Sequence, residues 1–458
     1  MRTSLLLLPA AVLALSGCTN GSEVDDSATG AVIEPVAEAR TAEGSDREAS
    51  GRAPSDRQAP KNGQPSPPAD SAARVAIEGS GPEETRPPNG DWQEPAFPGQ
   101  TRAPKPEFTA AWSVETVTDG LDHPWALEFL PGGSLLVTER PGALRHVTRD
   151  GQVSEPLGGV PEVHAVAQGG LLDVALHPEF ATNRRIFLTF AEPTDGASRT
   201  AVAAATLSEA NDALIGTEVI FRQQPEWQSR GHYGSRIVFD TEGSMYVTFG
   251  DRMDETRTEA QDPTNHIGTV IRLRPDGSVP EDNPFVDDPA GADEVWSWGH
   301  RNIQAADLHP ATGELWTIEH GPRGGDELNR PEAGRNYGWP AVTYGINYNG
   351  SRVTGGNTQS DDTVQPVYYW DPVIAPSGMV FYTGDLFEPW TGDLFIGGLG
   401  TGKVVRLVMD DGRVVAEEWL DIGRRVRDID QAPDGTLWLV TDHADGELMR
   451  IVPGNAES

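Results

Sequence analysis

Between residues 110 and 453 one pattern recurs: a polar turn rich in Gly, Asp or Asn, then an alternating aliphatic or aromatic run. The copies read PGGSLLVTER (131–140), ATNRRIFLTF (181–190), DTEGSMYVTFGD (240–251), ATGELWTIEH (311–320), WTGDLFIGGL (390–399) and PDGTLWLVTD (433–442). Period-two alternation puts every second side chain on one face, so each run predicts a strand with a buried face. Most copies follow a shorter apolar run, as in PWALEFL, LLDVALHP, SRIVFD, QAADLHP, SGMVFYTG and VRDIDQAP. Each pair therefore predicts neighbouring strands joined by a tight turn. Helical periodicity is nearly absent. Six copies at a period of roughly 57 residues, the size of a four-stranded blade, predict an all-β, six-bladed β-propeller. An array of β-sandwiches is the alternative, and it explains the single scale of repetition less well.

The pattern does not extend to the N-terminus. Residues 1–17 carry Arg2, an apolar core from Leu5 to Leu15 and the small residues Ser16 and Gly17, which predicts an export signal. Leu15-Ser16-Gly17-Cys18 resembles the box at which bacterial lipoproteins are cleaved before a lipid-bearing cysteine. Cys18 is the chain's only cysteine, so no internal disulfide and no Cys-based metal site is possible. Residues 18–109 are dominated by Pro, Ser, Gly, Ala and charge, with no apolar period. Burial there cannot offset ordering entropy, so the stretch is expected to be a disordered tether, with a domain at 110–458 that stands alone. The expected setting is an exported protein held to a membrane through Cys18 only, facing the periplasm or exterior.

Composition narrows the partners. The formal net charge is −35, from 35 Lys+Arg against 70 Asp+Glu. Such a chain repels phosphates, which argues against nucleic acid or an anionic membrane surface as ligand.

Unusual residues collect just after or between the predicted strands, where propeller loops converge at one end of the central channel. His232, in Gly231-His232-Tyr233-Gly234-Ser235-Arg236, is a loop histidine with a pKa suited to a general base, and Phe249-Gly250-Asp251-Arg252 ends the same strand pair. Trp298-Gly299-His300-Arg301-Asn302, with Gln304 behind it, offers planar, directional donors. In Glu319-His320-Gly321-Pro322-Arg323-Gly324-Gly325-Asp326-Glu327, irregular backbone and two acids supply hard oxygens of the kind calcium takes. A solvated acidic turn reads equally well from those residues. Gly334-Arg335-Asn336-Tyr337-Gly338-Trp339-Pro340 follows, with Trp339 either a stacking platform or a core residue. Arg425 and Arg427, two apart in a predicted strand, point the same way and suggest a held anion; a salt-bridged surface is the ordinary alternative.

Taken in order and at these spacings, with Gln168-Gly169-Gly170-Leu171-Leu172, the motifs resemble the pyrroloquinoline quinone (PQQ)-dependent soluble glucose dehydrogenase and aldose sugar dehydrogenase family, also called the glucose/sorbosone dehydrogenase family. The resemblance spans 111–453 and implies a six-bladed propeller that oxidises aldose sugars at C1 to lactones. Position by position, it implies His232 as general base for the anomeric hydroxyl, with hydride passing to the quinone, and Asp251 as the carboxylate that orients it. It implies Gln168 as a cofactor-side contact and Arg301 and Asn302 as donors to the quinone oxygens. Gly321 and Pro322 are implied as carbonyl ligands of a catalytic calcium, and Arg425 and Arg427 as partners of the cofactor's carboxylates. Asp326, Glu327 and the Tyr337 carbonyl match a structural calcium site of some relatives.

One departure stands out. The family commonly has a cofactor-binding lysine where this chain has Gly400. Lys403, the only lysine of 110–458, lies three residues on and is expected to replace it. The expected function is a PQQ- and calcium-dependent aldose dehydrogenase that passes electrons to a respiratory-chain acceptor. A non-catalytic sugar- or protein-binding propeller is the rival reading. A calcium-dependent lactonase would need side-chain metal ligands at the channel centre, which the motifs do not supply.

Overall fold

The computed structural model describes residues 80–253 and 255–454. The expected export signal, Cys18 and the expected tether up to residue 79 lie outside them. Among the described residues, six sheets, antiparallel but for one short edge pair, follow one another around a ring. Blade 1 has three strands (Pro124–Phe129, Leu135–Glu139, Ala143–Val147). Blade 2 has four (Leu171–Leu176, Arg185–Pro193, Ser198–Leu207, Leu214–Arg222). Blade 3 (Ile237–Phe239, Met245–Thr248, Thr269–Leu273, Val295–Trp298) gains the short parallel strand Arg335–Asn336 at its edge. Blade 4 comprises Ile303–Leu308, Leu315–Glu319, Asp326–Asn329 and Tyr368–Trp370, and blade 5 comprises Pro376–Phe381, Leu394–Gly398, Lys403–Asp410 and Arg413–Asp421. Blade 6 takes Val426–Gln431, Leu437–Thr441 and Gly446–Pro453 from the C-terminal end and its fourth strand, Trp112–Leu121, from the other end of the domain. Trp112 pairs with Pro453 and Leu121 with Gly446, so backbone hydrogen bonds close the ring and cover an edge that would otherwise be open.

Apolar burial follows the same plan. A hydrophobic cluster lies between each adjacent pair of blades: Trp125 and Leu136 pack on Leu171 and Leu188, Phe187 and Val202 on Met245 and Val247, Tyr246 and Val270 on Ile303 and Leu315. Trp316 and Leu328 pack on Phe381 and Ile396, Phe395 and Val404 on Leu437 and Leu439, and Trp438 and Val440 on Leu135 and Val137. Burying each such side chain is worth ~1.5–3 kcal/mol, so neighbouring blades are held face to face.

At the centre of the ring stands a charged hub. Arg236 donates to Asp173 of blade 2 at 2.8 Å, to both carboxylate oxygens of Asp428 in blade 6 at 2.9 and 3.1 Å, and to the Gln304 carbonyl of blade 4 at 3.1 Å. Its guanidinium lies 4.6 Å from the Trp125 ring of blade 1. Asp428 also accepts the Leu127 amide of blade 1 at 3.0 Å, and Asp173 the Ile237 amide at 2.7 Å. Burial pushes the Asp173 carboxyl up to about 6 against the pull of Arg236.

Residues 80–109 correct one expectation. They are not part of a tether but lie on blades 4 and 5, with Gln100 and Ala103 buried. The Gln100 carbonyl accepts the Tyr369 amide at 2.9 Å, Ala103 donates its amide to the Tyr368 hydroxyl at 2.8 Å, and the Pro104 carbonyl accepts the Glu417 amide at 3.0 Å. Few apolar residues are needed, because polar backbone and amide groups make the contacts. The folded part therefore starts before residue 110.

Two outcomes follow from these contacts. A chain beginning at residue 110 should melt several degrees below one beginning at residue 80, as seen by circular dichroism; equal melting temperatures would show the segment to be dispensable. Arg236→Met leaves two buried carboxylates unpaired, and breaking such a pair costs about 3–5 kcal/mol. It should lower the urea midpoint sharply, and an unchanged midpoint would remove the hub from the account of stability.

Candidate active site

The loop that opens blade 3 brings His232 over the end of the strand Met245–Thr248. His232 has φ 53° and Gly234 φ 67°. A Cβ on Gly234 would lie 2.6 Å from the Phe249 backbone, so only glycine lets the two chains touch there. That contact brings His232 to Asp251: Nδ1 and Oδ1 are 2.6 Å apart, both residues being buried. Asp251 Oδ1 also accepts the Met253 amide at 2.9 Å, and Oδ2 accepts the Trp339 indole N–H at 2.7 Å. Burial alone would raise the Asp251 carboxyl, but the charge and hydrogen bond of His232, then Arg301, hold it below its ordinary value. An ionised Asp251 can only accept, so Nδ1 carries the proton and the basic lone pair sits on Nε2. Gln168, expected as a cofactor contact, fixes the loop by accepting the His232 amide at 2.8 Å.

Around this pair the structure gathers arginines, of which Arg301 and Arg427 are buried and Arg425 is exposed. Arg301 donates to the His320 carbonyl at 3.0 Å and lies 5.2 Å from the Trp339 ring. Asn302 Oδ1 accepts from the Gly234 amide at 3.2 Å and from Gln304 at 3.3 Å. Gln304 Oε1 accepts from Arg427 at 3.2 Å. Arg425 and Arg427 do converge, as their spacing predicts, but on a protein acid: both donate to Asp442 Oδ2, at 2.8 and 3.2 Å. Burial would raise Asp442, yet Arg427 and Arg425, with Arg140 behind them, hold its carboxyl far below the usual range. His320 connects the two groups. Burial pushes it down to about 3, and the charges of Arg301, His232 and Arg427 all act on it in the same direction. Its ring is neutral and donates Nε2–H to the Pro376 carbonyl at 2.5 Å.

The Nε atoms of Arg301 and Arg427 are buried and have no hydrogen-bond partner. An unmatched buried donor is costly, and an anionic oxygen is what would satisfy it. A multiply charged carboxylate cofactor fits these residues, even in a protein of strongly negative net charge.

The expected metal residues behave in two ways. Gly321 and Pro322 lie buried in a loop of irregular backbone. Their carbonyls are the hard oxygens calcium prefers. Asp326, expected as a side-chain ligand, instead fastens this loop: Oδ1 accepts the Gly321 amide at 2.8 Å, and Oδ2 accepts the Ile374 and Ala375 amides at 2.9 and 2.8 Å. Glu327 is pushed well up by burial and then by the charge of Glu319, with which it shares the Asn329 amide. Tyr337 stacks on His300 at 4.7 Å between ring centres, and its hydroxyl donates to the Arg330 carbonyl. Among the described residues, no three His, Cys, Asp or Glu side chains form a group able to hold a metal ion.

Lys403, expected to replace the family's cofactor-binding lysine, has a protein acid beside it. It is the cross-strand partner of Asp421, and Nζ sits 3.1 Å from that exposed carboxylate, at the outer pair of strands in blade 5. Motif reading also missed Asp442, which neutralises part of the arginine pair, and Arg140, which adds to it. Their only signal was position just past a blade strand.

Known proteins resemble this chain over most of its length. The glucose/sorbosone dehydrogenase family pattern matches residues 121–450. The chain is 42% identical to the aldose sugar dehydrogenase of Escherichia coli (strain K12) over 355 residues, covering 76% of this chain and 94% of that protein. A crystal structure of a glucose dehydrogenase superposes with a TM-score of 0.72 at 45% identity, covering 75% of this chain and all of the other. The PQQ-bound aldose sugar dehydrogenase of Streptomyces coelicolor superposes with a TM-score of 0.62 at 28% identity, over 75% of this chain and 99% of that one. On the pattern match and these identities, the chain belongs to the glucose/sorbosone dehydrogenase family of oxidoreductases.

Proposed function

We propose that this sugar dehydrogenase oxidises aldoses at C1 to lactones with PQQ as cofactor and with calcium bound through the carbonyls of Gly321 and Pro322. The observation that carries the reading is the hydrogen bond between ionised Asp251 and His232, set near the buried Arg301 and Arg427, each with an unmatched Nε. PQQ, when bound, supplies a two-electron acceptor for the hydride of sugar C1. His232 Nε2 takes the proton of the C1 hydroxyl, so that the C1–O bond becomes the lactone carbonyl as the C1–H pair departs. Asp251 stabilises the resulting imidazolium, and Trp339 holds the second Asp251 oxygen. Arg301 and Asn302 would donate to the quinone oxygens, and Arg427 with Arg425 would hold the cofactor's carboxylates. The electrons then pass to a respiratory-chain acceptor. Export and attachment through a lipid on Cys18 complete the proposal.

Reconstitution of the apoprotein with PQQ and calcium, followed by an aldose panel with an artificial acceptor, tests this reading. Absence of turnover with every aldose would overturn it.

His232→Ala should lower kcat by about 10²–10⁴, the usual loss for a general base, while PQQ affinity changes little. Near wild-type kcat would remove His232 from the chemistry. Arg427→Met leaves Asp442 paired with Arg425 and should weaken PQQ binding roughly 10- to 100-fold by absorbance titration. An unchanged dissociation constant would show the arginine pair to be purely structural.

A further inference from the structure

The loop Gly321–Gly325 is gripped by the chain that precedes the propeller. Asn89 is the centre of the grip. Its amide N–H and side-chain Nδ2 donate to Asp371 Oδ2 and Oδ1, at 2.8 and 2.5 Å, and the Gly90 amide adds a longer contact at 3.3 Å. Its Oδ1 accepts from Arg323 Nε at 3.0 Å. Asp371 and Arg323 bracket Gly324, which has φ 85° and lies so close to Asp371 that a Cβ would be 2.4 Å from Oδ1. One asparagine thus ties both flanks of the loop. Gln93 Nε2 donates to the Gly345 carbonyl at 3.3 Å, and Gly345 packs on the Pro322 ring, where a Cβ would come within 2.7 Å. Arg102 donates to the Asp371 carbonyl at 2.7 Å and to the Glu84 carbonyl at 2.8 Å, fastening the segment to itself and to blade 4. The family match begins at residue 121, so none of this segment belongs to the shared pattern.

We propose that residues 84–104 are a built-in clamp on the loop 321–325, with Asn89 as the positioning residue that presets the Gly321 and Pro322 carbonyls for calcium. The calcium part rests on the function proposed above. Backbone carbonyls on a glycine-rich loop bind a cation well only if the loop is already ordered, since ordering it on binding costs conformational entropy. Polar contacts on both sides of Gly324 supply that order from outside the catalytic residues.

The test uses the full chain carrying Asn89→Ala. Hydrogen exchange should quicken at the amides of 321–325 and stay unchanged in the strands of blades 1 and 2. Calcium chloride titrated into the PQQ-supplemented protein should show half-saturation raised roughly 3- to 30-fold, as expected for loss of one or two hydrogen bonds to a charged group. At saturating calcium kcat should return to within about twofold of wild type, because the clamp touches no reacting atom. A merely stabilising segment would lower the melting temperature without moving calcium half-saturation. Should Asn89→Ala fail to fold, Arg323→Met removes one half of the grip and leaves the Asn89–Asp371 bonds. Unchanged exchange at 321–325 would overturn the clamp. So would unchanged calcium affinity in a variant whose wild type responds to calcium. A wild type indifferent to calcium would sink the metal reading alone, and the exchange result would still decide the clamp.

Discussion

The structure depends on one buried cation. Arg236 sits where the first strands of the blades meet and reaches partners in blades 1, 2, 4 and 6 from the start of blade 3. A propeller is a ring of repeats, each of which touches only its neighbours, so the axis is where contacts can cross the ring. Two carboxylates, a carbonyl and an indole face converge on a planar group with five donors, a geometry that lysine could not meet. Blade 5 closes on the same point, since Gly378 lies too close to Asp428 to carry a side chain.

The hub and the candidate active site share residues, which links fold to chemistry. Arg236 closes the loop that begins with His232. Asp428 follows Arg427 in the chain. Gln304 receives Arg236 on its backbone carbonyl and Arg427 on its side chain, while its amide nitrogen reaches Asn302. Correct seating of the blades around Arg236 therefore sets the spacing of His232, Arg301, Asn302 and the arginine pair. The groups proposed to act on sugar and cofactor come from the ends of strands in blades 3, 4 and 6, and ring closure by Trp112–Leu121 fixes blade 6 against blade 1.

The blades were legible because a period-two pattern with polar turns is local, and the six copies proved to be six sheets. The fourth strand of blade 6 was not legible, since its partner lies more than 300 residues away in the chain. The segment 80–109 was misread for a physical reason: counting apolar residues ignores order imposed by polar groups such as Asn89 and Gln100. His232, Asp251, Arg301 and Asn302 were found by motif and do meet. Trp339 was noted as a platform or core residue, and its bond to Asp251 across 88 positions could not be read. Asp326 shows the limit of spacing alone, because a carboxylate two residues from a bend can bind amides as readily as a metal.

The central claim is that buried arginines hold an anionic quinone where His232 can deprotonate a sugar hydroxyl as C1 gives up its hydride. The most direct measurement is anaerobic mixing of the PQQ-loaded protein with an aldose, unlabelled or deuterated at C1, without any electron acceptor, while the cofactor's absorbance is followed. The account predicts that one equivalent of sugar reduces one equivalent of cofactor, more slowly for the deuterated sugar. An absorbance that no aldose alters, in protein shown to hold PQQ, would contradict it.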